Sequence, residues 1–303
     1  MTSDPATMAL EGLGGSTPRV DAHHHFWDLE SGLYAWPTAA EAAIHRTFTP
    51  EELAPELRAA GIDATVVVQA TDSLADTDVM LDAAGQHPWI AGVVGWLPLS
   101  DSSAAEREIE ARRGRLCGVR HLIHWDADPT WLIRADVQAG LSLLSEEHLP
   151  FDVVAVFPDH LPLVPAVAVA HPDLVLVIDH LAKPPFRSPG WDRWVEDIRR
   201  AASCPTVRAK VSGLDTAAGP GWTVDELRPA WDVALEAFGP DRLMFGSDWP
   251  VCRLVSSYGG VVSATRDLVA ELTSREQDRV LGGTAIEVYR LPLARATSVS
   301  HAT

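Results

Sequence analysis

Along the chain, short apolar runs rich in β-branched residues alternate with longer stretches whose apolar positions recur every three or four residues. The short runs lie at 20–28, 64–69, 90–96, 118–124, 151–156, 174–180, 207–212 and 242–248. Their near-continuous hydrophobicity suits strands covered on both faces, as in a parallel sheet. The longer stretches predict helices. One follows Thr49-Pro50-Glu51-Glu52, where Thr49 caps, Pro50 suits the first turn, Glu52 completes a capping box and Gly61 provides the exit. Others are expected near 78–87, 104–113, 136–147, 191–202, 224–238, 260–272 and 274–281, with a further apolar helix before the run at 174. The strands are spaced widely enough for crossover helices. Eight such units predict an α/β fold, a (β/α)8 TIM barrel in a single domain over 19–291, between flexible tails at 1–18 and 292–303. The rival, an open doubly wound sheet, lacks a Gly-x-Gly-x-x-Gly after its first strand.

Composition narrows the partners. The 24 basic and 42 acidic side chains leave a net charge of −18. Such a balance repels phosphate backbones and anionic membranes, so neither nucleic acid nor membrane is an expected partner. Three widely spaced cysteines, Cys117, Cys204 and Cys252, argue against a disulfide framework or a thiolate metal site. With no export signal or membrane-length apolar run in the sequence, the expected location is cytoplasmic. The sequence admits a homo-oligomer and does not fix the number of copies.

The polar residues change the picture more than the totals do. Asp21, His23 and His25 stand two apart, so in a regular strand all three share one face. An acid and two imidazoles aimed at one point form a ligand or proton-transfer cluster, although a short histidine tract alone also arises from composition. Other strands end in Gln69, in Arg120 with His121 and His124, in Asp179 with His180, in Lys210 with Ser212, and in Ser247 with Asp248. Barrel active sites lie at the C-terminal ends of the strands. Arg120 and Lys210 could equally be paired structurally with Asp21 or Asp179. Trp27, Trp96, Trp125 and Trp249 are candidates for a pocket wall, whereas Trp191, Trp194 and Trp231 fall in helices and read as packing residues.

Six phrases together resemble the amidohydrolase superfamily. They are Asp21-Ala22-His23-His24-His25-Phe26-Trp27-Asp28, Gly92-Val93-Val94-Gly95-Trp96, Gly118-Val119-Arg120-His121, Asp179-His180-Leu181-Ala182-Lys183-Pro184-Pro185, Lys210-Val211-Ser212-Gly213-Leu214 and Phe245-Gly246-Ser247-Asp248-Trp249-Pro250-Val251. Their wording is similar to the amidohydrolase-2 branch and its sugar-lactonase group, which includes fuconolactonase, rhamnonolactonase and pyrone-dicarboxylate lactonase. The resemblance implies a catalytic constellation of His23, His25, His180 and Asp248, with Arg120 near the substrate. Binuclear members of the superfamily it resembles carry a bridging lysine or glutamate on strand four and a histidine on strand five; this chain has neither there, so the resemblance does not imply a two-metal site. The resemblance leaves two options open: one divalent ion, zinc first, held by His23, His25, His180 and Asp248, or a metal-free proton-transfer cluster.

The expected reaction is hydrolysis of a small sugar lactone, with Asp248 as general base on water. Arg120, Gln69, Lys210, His124, Trp27 and Trp249 are the expected substrate contacts. The loops at 28–46 and 125–133 are expected to set specificity. A zinc-dependent decarboxylase of an aromatic or related carboxylic acid is the alternative on the same scaffold. No Gly-x-Ser-x-Gly supports a serine-esterase route.

Overall fold

Strand follows helix through the chain as the hydrophobic pattern predicts. The computed structural model describes residues 16–293; the tails expected at 1–18 and 292–303 fall almost wholly outside the described residues. The strands are β1 (Val20–His24), β2 (Ala64–Val68), β3 (Ile90–Gly95), β4 (Gly118–His121), β5 (Phe151–Val153), β6 (Leu176–Ile178), β7 (Val207–Val211) and β8 (Leu243–Phe245). They form one parallel sheet in sequence order. Two hydrogen bonds close the seam between the first strand and the last: Asp248 N to His23 O at 2.8 Å and His25 N to Trp249 O at 2.7 Å. The result is the expected eight-stranded (β/α)8 TIM barrel.

The principal crossover helices are α1 (Pro50–Ala60), α2 (Leu74–Gln86), α3 (Ser102–Ala111), α4 (Ala135–Glu146), α5 (Val164–Ala170) and α6 (Trp191–Ala202). After β7 come α7 (Leu214–Ala218) and α8 (Val224–Phe238), and after β8 come α9 (Tyr258–Val269), α10 (Ser274–Asp278) and α11 (Thr284–Val288). The helices at 191–202 and 224–238 match the sequence reading to the residue. Three details differ. The second helix starts earlier, at Leu74, because Ser73 accepts from Ala75 N. Thr49 makes no side-chain cap, and the Glu52 side chain is drawn to Arg46, so both halves of the expected capping box are absent at that helix. The strands β5, β6 and β8 are only three residues long, and the residues after them turn to build the mouth. No described helix is long and apolar enough to cross a membrane.

Two apolar layers result. The larger lies between the sheet and the helices and includes Trp194 and Trp231, both buried as expected. The smaller fills the lower barrel with Val20, Ala22, Val66, Val68, Val94, Val177 and Met244, closed by Tyr289 and Leu291 from the C-terminal segment. Gly92 and Gly118 make room for that segment: a Cβ on the first would lie 2.8 Å from Leu291, and on the second 3.3 Å from Tyr289. Above this layer the barrel interior turns polar, and that change of character places the site.

Candidate active site

A β-bulge at the end of β1 decides which residues of the opening cluster meet. The pairing with β2 shifts between Asp21 and His24, so an extra residue enters the strand and the strict alternation of faces is lost. Val20 and Ala22 face the barrel interior. Asp21 points the other way, accepting from Ser247 N at 2.8 Å and from the Tyr258 hydroxyl of α9 at 3.2 Å. Burial pushes its carboxyl up to about 6 against those hydrogen bonds. The expectation that Asp21 shares a face with both histidines is therefore corrected: it ties the first strand to the eighth and to α9. His24 also faces outward, 2.8 Å from Thr65 Oγ1.

His23 and His25 do converge. Their Nε2 atoms lie 3.1 Å apart, and Asp248 Oδ1 lies 3.4 Å from His25 Nε2 and 3.7 Å from His23 Nε2. The hydrogen bonds that close the barrel create this meeting, because they place the Asp248 backbone directly against that of His23. Asp248 itself has a left-handed backbone (φ 55°), a conformation that aspartate tolerates better than most residues. Gly246 leaves space for His23, whose Cβ would lie 2.6 Å from a Cβ at that position.

His180 reaches the same point by an unusual backbone. His180, Leu181, Ala182 and Lys183 all have φ between 49° and 59°, a left-handed turn containing no glycine. Each such residue costs about 1–2 kcal/mol, so the surroundings must hold the turn. Leu181 and Ala182 are fully buried, Trp194 Nε1 donates to Leu181 O at 2.9 Å, and Phe157 N donates to Ala182 O at 3.1 Å. The His180 ring centroid lies 4.6 Å from that of His23, and its Nδ1 is 2.9 Å from Ser212 Oγ. Gly213 (φ 58°) is required beside it: a Cβ there would come within 2.8 Å of His180 Nδ1 and 3.2 Å of Asp248 Oδ2.

The charges beneath are paired. Lys210 Nζ, fully buried, is 2.5 Å from Asp152 Oδ2, 3.2 Å from Asp179 Oδ1 and 3.0 Å from His23 Nδ1. Arg120 donates to Asp179 Oδ2 at 3.1 Å and to the Gln69 carbonyl. Burial pushes Asp179 upward, but Lys210, His23 and Arg120 outweigh it and hold the carboxyl well below the usual range. Burial opposes ionisation of Asp248 too, and the rings of His180, His25 and His23 overcome it, keeping Asp248 a carboxylate. Burial lowers His180 to about 4 despite the two neighbouring carboxylates, so its ring is neutral near pH 7.

Over this floor opens a cavity of about 370 Å³. His25, His180, Asp248 and Arg120 form its base, and Trp27 and His124 join its wall. The loop at 28–46 adds Trp36 and Glu41, and the loop at 125–133 adds Trp125. Three expected substrate contacts do not line it. Gln69 turns its amide to Asp72 and contributes only its carbonyl to Arg120. Lys210 is consumed by carboxylates inside the barrel. Trp249 is 1% exposed and packs edge-on against Phe26 and Phe48. Trp96 also turns away, donating to His121, which stacks on Trp131.

Sequence reasoning did not single out Trp36, Glu41, Lys183, Asp152 or Tyr289. The first three sit on turns and loops without periodicity. Asp152 stands in a strand, and only the closed barrel reveals its partner Lys210.

The His/Asp groups fit a metal site. His25 Nδ1 donates to Val68 O at 2.7 Å, so the ring, once its Nε2 proton is lost, would offer an ion a lone pair on the side facing His23 and Asp248. The three facing atoms, 3.1–3.7 Å apart, match the separation of ligands about 2.0–2.2 Å from a tetrahedral ion. A second grouping, His23, Asp179 and His180, shares His23 with the first.

An amidohydrolase family profile matches residues 20–291. The L-fucono-1,5-lactonase of Burkholderia ambifaria is 36% identical over 280 residues, 91% of this chain and 96% of that protein. The protein of the same name from Burkholderia multivorans is 37% identical over 286 residues, 90% of this chain and 96% of its own. A crystal structure of a Burkholderia multivorans amidohydrolase with bound zinc superposes with a TM-score of 0.86 at 36% identity, covering 91% of this chain and all of that one. A 5-carboxyvanillate decarboxylase from Sphingomonas paucimobilis shares the barrel at 15% identity and a TM-score of 0.65, a likeness of fold alone. Matched from its first strand to the end of its last helical segment, the chain belongs to the amidohydrolase family.

Proposed function

We propose that this enzyme hydrolyses an aldonolactone, with L-fucono-1,5-lactone as the first substrate to test. The observation that carries the reading is the meeting of the Asp248 carboxylate with His25, His23 and His180 at the base of an aromatic-walled cavity. The two lactonases of 36–37% identity support the substrate class. The decarboxylase alternative draws no support beyond the shared barrel.

In the proposed reaction Asp248 takes a proton from water as the water oxygen adds to the lactone carbonyl. Arg120 and the neutral His180 face the developing oxyanion, and a preorganised donor of this kind typically contributes about 3 kcal/mol. The ring C–O bond then breaks, and Asp248 passes its proton to the departing alkoxide, giving the hydroxy acid. Trp27 and Trp36 give the cavity wall apolar aromatic surface suited to the C–H faces of a sugar, and Glu41 would accept from its hydroxyls.

A divalent ion, zinc by the donor set, would be held by His23 Nε2, His25 Nε2 and Asp248 Oδ1. When bound it supplies Lewis acidity to the carbonyl or to water. Zinc at 100 times its Kd is expected to stabilise the fold by about 2.7 kcal/mol, read as a rise in melting temperature that His25→Ala abolishes. An unchanged melting temperature with excess zinc would remove the ion from the site.

A pH-indicator assay on a panel of aldonolactones tests the function itself. Acid release from L-fucono-1,5-lactone, faster than from other stereoisomers, is the expected result. A folded enzyme that opens none of the panel would overturn the reading.

A further inference from the structure

The edge of the cavity carries a solvent-exposed cation, Lys183, that the site's own carboxylates do not pair with. Arg120 is clamped between Asp179 and the Gln69 carbonyl, and Lys210 lies beneath, held by Asp152 and Asp179. Lys183 lines the cavity, and among the described residues no carboxylate lies within ion-pair distance of it. It is the fourth residue of the left-handed turn that begins at His180, and Lys183 N donates to His180 O at 2.8 Å. The turn therefore roots its side chain at the edge of the reacting centre. His124 shares the wall, and its Nδ1 is buried with no hydrogen-bond partner. Among the described residues, only Glu41 and Asp248 bring carboxylates to this cavity, and Glu41 Oε2 is occupied by Thr38, at 2.8 Å from both its N and its Oγ1.

A lactone is neutral and its hydrolysis product is a carboxylate. That carboxylate forms beside Asp248, which carries the same charge. A cation left without a counterion in the resting site meets an anion only once the ring has opened. We infer that Lys183, together with His124, is the carboxylate-receiving end of the cavity and holds the ring-opened acid more than the lactone. Lys183 is thus a residue that sets product affinity and release. Burial first, then the charge of Lys183, keeps His124 down at about 3, so its ring is neutral and free to donate one hydrogen bond to the same anion.

This inference rests on the lactone reading, and the experiment separates the two. L-fuconate binding is measured by calorimetry, and KM for L-fucono-1,5-lactone by initial rates, for the wild type, Lys183→Gln and Lys183→Arg. Loss of a charged hydrogen bond predicts a Kd for L-fuconate about tenfold or more higher in Lys183→Gln, with KM changing less than threefold. Lys183→Arg is expected to restore Kd to within threefold of the wild type. Three results overturn the inference: an unchanged Kd in Lys183→Gln, a parallel rise of Kd and KM, or no measurable L-fuconate binding by a wild type that hydrolyses the lactone. A wild type that hydrolyses no lactone counts against the lactone reading instead.

Discussion

Asp248→Asn is expected to lower kcat on L-fucono-1,5-lactone by about 10²–10⁴-fold, the usual contribution of a positioned general base. KM should stay within a few fold, because the cavity walls are untouched. The substitution is informative because it changes little else. Asparagine has the shape of aspartate and is among the residues that tolerate a left-handed backbone, so φ 55° at this position is kept. The seam bond from residue 248 N to His23 O uses only the backbone and persists. What disappears is the negative charge 3.4 Å from His25 Nε2 and the ability to accept a proton from water. Circular dichroism should match the wild type, and the melting temperature should fall modestly as the interaction of the carboxylate with the three rings is lost. A folded Asp248→Asn enzyme retaining more than a tenth of wild-type turnover would move the general base elsewhere.

The constellation was legible from the chain because each member ends an apolar run, and a barrel gathers such ends at one mouth. His23, His25, His180 and Asp248 meet as the strand order implies. The helices at 191–202 and 224–238 were legible because each carries a clean apolar stripe with a defined start and stop. Asp21 was misread because periodicity assumes a regular strand, and the bulge before His24 has no sequence mark of its own. The left-handed turn at His180 was silent for a related reason: no glycine announces it, and packing around Leu181 and Trp194 enforces it. Lys210 and Gln69 were assigned to the substrate because a polar residue at a strand end reads the same whether it faces the cavity or a neighbour. Distinguishing the two needs the closed barrel, in which Asp152, 58 positions away in sequence, comes within 2.5 Å of Lys210. Trp36 and Glu41 lie in a loop whose path no periodicity describes.

Lys210→Met is expected to destabilise the fold by about 3–5 kcal/mol, the cost of leaving a buried charge without its partner. Inside the barrel two cations, Lys210 and Arg120, face two carboxylates, Asp152 and Asp179, and all four are buried. The set is formally neutral. Removing Lys210 leaves an excess negative charge in a region that water does not reach. It also takes the nearest contact from His23 Nδ1, so activity should fall along with stability. Asp152→Asn leaves the opposite excess, although Tyr289, whose hydroxyl lies 2.8 Å from Asp152 Oδ1, retains an acceptor there. The double variant is neutral again, with Arg120 still paired to Asp179. It should therefore be more stable than the sum of the single losses by about 1–3 kcal/mol, a coupling within the range for residues in contact. Urea unfolding of the wild type, both single variants and the double variant measures this. Strict additivity would mean that the two groups are not a pair, and a Lys210→Met protein as stable as the wild type would mean that the barrel interior is wet enough to solvate the remaining charge.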